Sequence, residues 1–349
     1  MELILDTAAT RDVLFVGGKG GVGKTAVASA VGLAAARAGR SVLVVSTDPA
    51  HNLGHLWQKS VGDQPVELAP NLRGVEIDPA ATTDAHLSAV RSTMQRLMPE
   101  HLQGEVAKHL DLARDAPGTH EAAVLERIAE VVENRAPEEL VIFDTAPSGH
   151  TTRLIALPEL MQAWTDGLLR RQDRSATFSA ALRGLERDPD GAAADIVGTR
   201  GSEPGDGHGP STLWRFGGDR RARRDREIRQ ILDQRQERFR HLRGVLQDSE
   251  RTAFVAVLAA ERLPVLETIE LQQQLERSGM QVAALVVNKR SPEDAGELLA
   301  GRRRQEEAHL ATLAEALPHL PVVQIPLLAQ DILGAPGLTH LYNSAENMV

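Results

Sequence analysis

The sequence predicts an α/β fold, doubly wound around a mostly parallel sheet, with an α-helical insertion subdomain. Three observations predict it. The first is a series of short, unbroken apolar runs: VLFV (Val13–Val16), VLVVS (Val42–Ser46), VEI (Val75–Ile77), LVIFD (Leu140–Asp144), FVAVL (Phe254–Leu258), VAALVVN (Val282–Asn288) and VVQI (Val322–Ile325). Runs without alternation suit parallel strands covered on both faces. The second is the helical pattern between them. Thr25–Ala38 is Ala-rich and stops at Gly39, and Glu261–Ser278 stops at Gly279. Strands alternating with helices wind into one parallel sheet. The third is two breaks in this rhythm, near residues 85–135 and 155–250. No strand pattern lies between Ile77 and Leu140. Arg187–Thr212 holds six Gly and three Pro in 26 residues, a loop composition. The basic stretch Asp219–Arg243 has ten Arg against five acids. Its apolar residues Ile228, Ile231, Leu232, Phe239, Leu242, Val245 and Leu246 fall on one helical stripe.

The expected organisation is one domain over residues 1–349, with a core of about 1–84, 136–155 and 250–349. The insertion takes about 85–135 and 156–249. A formal net charge of −9 argues against broad nucleic-acid binding through phosphates. There is no cysteine, so disulfides, thiolate metal sites and cysteine nucleophiles are excluded. The opening MELILDTAATRD lacks the pattern of a signal peptide, and no apolar run reaches about 18 residues. A cytoplasmic protein is expected.

The chemistry concentrates in GGKGGVGKTA, Gly17–Ala26. Gly18, Lys19, Gly20, Gly21, Val22, Gly23, Lys24 and Thr25 satisfy G-x4-G-K-[ST] between a strand and a helix, the P-loop context. Glycines let backbone N–H groups close on a phosphate, and the helix N-terminus adds positive potential. Lys24 would reach the β- and γ-phosphates of ATP, and the Thr25 hydroxyl would ligate Mg2+. Lys19 is a second lysine in the same loop. It would repel Lys24 unless it points elsewhere, and a natural target is the nucleotide of a facing subunit; the alternative is a solvated loop lysine. Asp144 ends an apolar strand, where a carboxylate can hold Mg2+ through water; a helix cap is the alternative. Asp48 follows the second strand and could activate the attacking water, or could form an Asp-Pro turn.

GGKGGVGKT, STDPAHNL (Ser46–Leu53) and DTAPSGHTTRLIALPE (Asp144–Glu159) together resemble the arsenical pump-driving ATPases, relatives of the eukaryotic ATPase that targets tail-anchored membrane proteins. This is the deviant Walker A class of P-loop NTPase dimers. LAAERLPVLETIELQQQLERSG, VVNK and IPLLAQDILGAPGL extend the similarity over most of the chain. The resemblance implies that Lys19 crosses the interface of a homodimer and that Gly20–Thr25 hold phosphates and Mg2+. It implies that Asp48 activates water, that Asp144–His150 form a second switch, and that Asn288 reads the adenine edge. Residues around Pro326–Asp331, Pro326 and Leu327 among them, would cover the base. Ala26 stands where the family usually has a second Thr, so one side-chain contact to the α-phosphate is replaced by backbone alone. After Asn288 the chain reads KRSPEDAGELLAGRRRQ, without the CxxC that binds zinc in the eukaryotic factor. The metalloid-binding cysteines of arsenite pumps are also missing, and a single P-loop means two chains are needed for two sites.

Three functions are in view. The first is a homodimeric ATPase switch that binds and releases an apolar membrane-protein client through its helical insertion. The second is an ATPase subunit energising a membrane transporter for arsenite or antimonite efflux. The third is a nucleotide-dependent regulator whose basic helix docks on acidic lipid or a partner.

Overall fold

The computed structural model describes residues 1–48, 50, 52–97, 104, 108, 111, 114, 119–145 and 213–348. The loop Arg187–Thr212, His51 and the greater part of the second switch, from Ala146 through His150, lie outside the described residues. Along the chain come α1 (Glu2–Thr10), β1 (Val13–Gly17), α2 (Lys24–Arg37), β2 (Val42–Ser46), α3 (Asn52–Trp57), β3 (Val66–Ala69), β4 (Leu72–Glu76) and α4 (Pro79–Leu97). There follow α5 (Thr119–Glu133), β5 (Leu140–Asp144), α6 (Leu213–Gln247), β6 (Thr252–Ala259), α7 (Arg262–Arg277), β7 (Val282–Arg290), α8 (Glu297–Ala316), β8 (Val322–Pro326), α9 (Gly334–Asn343) and β9 (Glu346–Met348).

Among the described residues the strands form one sheet in the order β3-β4-β2-β5-β1-β6-β7-β8-β9. All neighbours from β4 to β8 pair in parallel; β3 and β9 close the two edges antiparallel. The mostly parallel, doubly wound α/β sheet is therefore as the apolar runs predict. The pleat sends alternate residues to opposite faces. Leu14, Val16, Val44, Ile142, Val255 and Val286 join α1, α2 and α9 in one buried cluster. Their neighbours Phe15, Val45, Phe143, Phe254 and Leu285 are buried on the other face, and the rings of Phe15 and Phe143 stack at 4.9 Å. Continuous apolar runs are what such double coverage requires.

Both predicted helix stops are hydrogen-bonded ends. Gly39 N–H donates to Ala36 and Arg40 N–H to Ala35; Gly279 N–H donates to Glu276 and Met280 N–H to Leu275. These pairs satisfy carbonyls that the last helical turn leaves open. On α3, the Trp57 indole is 4% exposed and its Nε1 donates to Ser29 Oγ of α2 at 3.2 Å.

The chain divides into two compact units, Met1–Pro158 with Arg238–Val349, and Glu159–Glu237. The described part of the second is helical, the stretch of α6 up to Glu237. The apolar stripe of α6 changes character along its length. Phe239, Leu242, Val245 and Leu246 are buried, whereas Ile231 is 41% exposed. No helix among the described residues is long and apolar enough to cross a membrane.

Candidate functional site

The site lies at the carboxyl ends of the central strands, where the loop after β1 turns into α2. Two glycines there would be strained by any side chain. Gly18 has φ +143°, and a Cβ would lie 2.0 Å from the Val257 carbonyl oxygen of β6. Gly23, the N-cap of α2, has φ +96°, and a Cβ would lie 2.3 Å from Asn288 Nδ2. The loop thus turns in a conformation open mainly to glycine while pressed against β6 and β7. Its backbone N–H groups at the start of a 14-residue helix form a cradle for an anion.

The floor of this cradle is buried. Lys24 is 4% exposed, and its ammonium donates to the Lys19 carbonyl at 3.1 Å. Burial lowers its pKa, opposed by the negative charges of Asp144 and Asp48. Thr25 Oγ1 donates to Asp144 Oδ2 at 2.6 Å, and Ser46 Oγ donates to the same oxygen at 3.2 Å. Register explains the meeting: Asp144 pairs with Val16 of β1 on one side and Ser46 of β2 on the other. Asp144 is fully buried, and among the described residues its Oδ1 has no hydrogen-bond partner. Burial pushes its carboxyl up to about 6, against the pull of Thr25, Lys24 and Ser46. A buried carboxylate oxygen left unpaired is costly. With a threonine hydroxyl beside it, it offers hard oxygen donors of the kind a divalent cation accepts.

The rim is looser. Asp48 Oδ1 accepts the Ala50 N–H at 3.1 Å and Oδ2 accepts Asn52 Nδ2 at 3.2 Å, so the carboxylate holds the turn into α3. Lys19 points away from Lys24 and donates to Glu267 Oε1 of α7 at 2.9 Å. Asn288, 3% exposed at the end of β7, donates through Nδ2 to the Val22 carbonyl at 2.8 Å. Its Oδ1 accepts the Lys289 N–H, and Lys289, in the left-handed region at φ 59°, reaches the Gly21 carbonyl at 2.9 Å. Ala26 is buried in the first turn of α2.

Pro326 and Leu327 reach the site indirectly. Pro326 pairs with Arg290, and Leu327 N–H donates to the Arg290 carbonyl at 2.8 Å. The Arg290 side chain is buried and bound to Glu306 at 2.6 Å and Gln324 at 2.7 Å, with Glu307 on a third nitrogen. Leu327 itself is 48% exposed.

The structure therefore gathers Gly18–Ala26, Asp48, Asp144 and Asn288 at one place and ties Pro326 and Leu327 to it through β7. The residues that sequence reasoning missed are Asn52, Glu267, Lys289 and Arg290. All four lie inside stretches quoted above, STDPAHNL, LAAERLPVLETIELQQQLERSG and KRSPEDAGELLAGRRRQ, yet nothing in those stretches singles them out. Glu267 and Arg290 act through partners far along the chain, which no spacing reveals.

Comparison with known proteins finds a matching family and relatives over most of the chain. The family described as Anion-transporting ATPase matches residues 11–189 and 214–346. The chain is 30% identical to the ATPase ASNA1 homolog of Leishmania braziliensis, over 93% of this chain and 90% of that protein. It is 29% identical to ATPase get3 of Aspergillus terreus, over 93% of this chain and 87% of the relative. A second ATPase get3, from Aspergillus niger, is 29% identical over 97% and 92%.

Proposed function

Because the chain belongs to the anion-transporting ATPase family, we propose that this ATPase works as a homodimer whose hydrolysis of ATP drives binding and release of an apolar membrane-protein client. The observation that carries the catalytic part is the cluster of Lys24, Thr25 and Asp144, with one buried Asp144 oxygen unpaired. Lys24 and the loop N–H groups bind the phosphates of the substrate. Mg2+, when bound, would neutralise charge on the β- and γ-phosphates. Thr25 and Asp144 are the residues that would hold it.

Asp48 lies close enough to Lys24 and Asp144 to act on both charges. In the reaction it orients and deprotonates the attacking water, after leaving its contacts with Ala50 and Asn52. Lys19 acts on the nucleotide of the second copy and stabilises charge on the transferring phosphoryl group. Asn288 and the Pro326–Leu327 turn receive the base. The chain's lack of cysteine leaves no thiolate for arsenite or antimonite, which favours a client over metalloid efflux.

The test uses purified Asp48→Asn with ATP and Mg2+. A client with one terminal transmembrane helix should stay in solution bound to the variant, and wild-type protein should release it on hydrolysis. Stimulation of wild-type hydrolysis by arsenite, with no client retained by either protein, would overturn the reading.

A further inference from the structure

Lys19 is held within its own chain. Its ammonium lies 2.9 Å from Glu267 Oε1, and the two residues are 248 positions apart. The side chains are 36% and 38% exposed, so water reaches the pair. The backbone beneath Lys19 is fixed, since its carbonyl accepts the buried Lys24 ammonium. The backbone beneath Glu267 is equally well founded. Val265, Thr268, Leu271 and Leu275 bury the inner face of α7, and Thr268 Oγ1 is bonded back to Pro264. Two anchored backbones therefore present one solvent-washed ion pair whose only free motion is in the side chains.

We infer that Glu267 is a positioning residue that latches Lys19 in cis, and that the lysine is released only when the phosphates of a second copy's nucleotide outcompete the carboxylate. The inference rests on the trans role proposed above for Lys19. The energetics suit a latch. An exposed ion pair biases an equilibrium by about two- to fivefold. A closing dimer opens two such pairs, which makes about four- to 25-fold in its dissociation constant. That biases the copies toward separation at low nucleotide, and is far less than the charge on a triphosphate can overcome. Buried Lys24 binds whether or not a second copy is present. Lys19 is the lysine of the loop whose engagement depends on assembly.

The experiment measures the dimer dissociation constant by sedimentation in ATP and Mg2+, in an Asp48→Asn background, and the hydrolysis rate against protein concentration with Asp48 intact. Glu267→Gln keeps the shape and removes the charge. It should tighten the dimer by about four- to 25-fold and lower by a similar factor the protein concentration at half-maximal rate, with kcat at saturating protein unchanged. Glu267→Asp, which keeps the charge, should return toward wild type. Combined with Lys19→Ala, Glu267→Gln should have no further effect on the dimer. If Glu267→Gln leaves the dimer constant unchanged, or weakens it, while Lys19→Ala abolishes hydrolysis, the latch is wrong and the trans lysine stands. If Lys19→Ala hydrolyses at the wild-type rate, the trans role itself fails and the latch falls with it.

Discussion

Lys24 and Lys19 stand five residues apart in one loop, yet the structure treats them in opposite ways. Lys24 is 4% exposed, lies among Thr25, Asp144 and Ser46, and has its charge opposed by burial. Lys19 has a side chain 36% exposed and leans on a glutamate from a distant helix. The same contrast separates the acids. Asp144 is sealed at the junction of three strands with an oxygen unpaired, while Asp48 is half-buried and both its oxygens are occupied by the turn it caps. The floor is buried and hydrogen-bonded, with one carboxylate oxygen left over for a further partner. The rim is satisfied and exchangeable, so it must let go of something before it can act. The function proposed above assigns binding to the first region and turnover to the second.

Substitutions can break that division. Asp48→Asn should have the largest effect, lowering kcat by about 10²- to 10⁴-fold with nucleotide affinity near wild type; a normal rate would remove Asp48 from the chemistry. Lys24→Ala should act on the other side of the division, weakening ATP by about ten- to 100-fold in an equilibrium titration. An unchanged affinity would put the phosphates elsewhere.

Asp144 sharpens the comparison through pH. Its folded carboxyl, at about 6, lies above the ordinary 3.8. In protein free of nucleotide and Mg2+, the stability this gives is present in full below about pH 4. It is lost as pH rises through about 6, on the order of 3 kcal/mol. Asp144→Asn does not titrate, so urea unfolding between about pH 4 and 7 should lose that fall. Equal slopes in both proteins would mean that water reaches the carboxylate. The smallest effect is expected at Asn52. Removing its amide in Asn52→Ala frees one Asp48 oxygen, and kcat should rise about two- to fivefold at constant KM. A fall would mean that Asn52 holds Asp48 in its reacting orientation.

How much of this was legible follows the same line. The seven apolar runs became the seven parallel strands because double coverage leaves a continuous signature. β3 and β9 were missed because VELA and ENM are short edge strands, two-sided and partly polar. The floor was legible as well, since a phosphate loop needs glycines and a lysine at fixed spacing and a strand must deliver the acid. The rim was legible only as candidate residues. Its state depends on pairings such as Lys19 with Glu267, or Arg290 with Glu306, where helices carry surface acids whose partners are chosen by packing. α1, α8 and α9 were also unread, and α8 supplies the glutamates that neutralise buried Arg290.

The indole of Trp57 is the chain's own light source at the rim. The protein has three tryptophans, and this one belongs to the helix that follows the Asp48 turn, buried and bonded to α2. An indole in apolar surroundings emits toward the blue, and one that gains water shifts to the red and dims. With Trp164 and Trp214 replaced by phenylalanine, the colour of the remaining emission would follow α3 leaving its seat in real time, with no label attached and no second protein needed to report it.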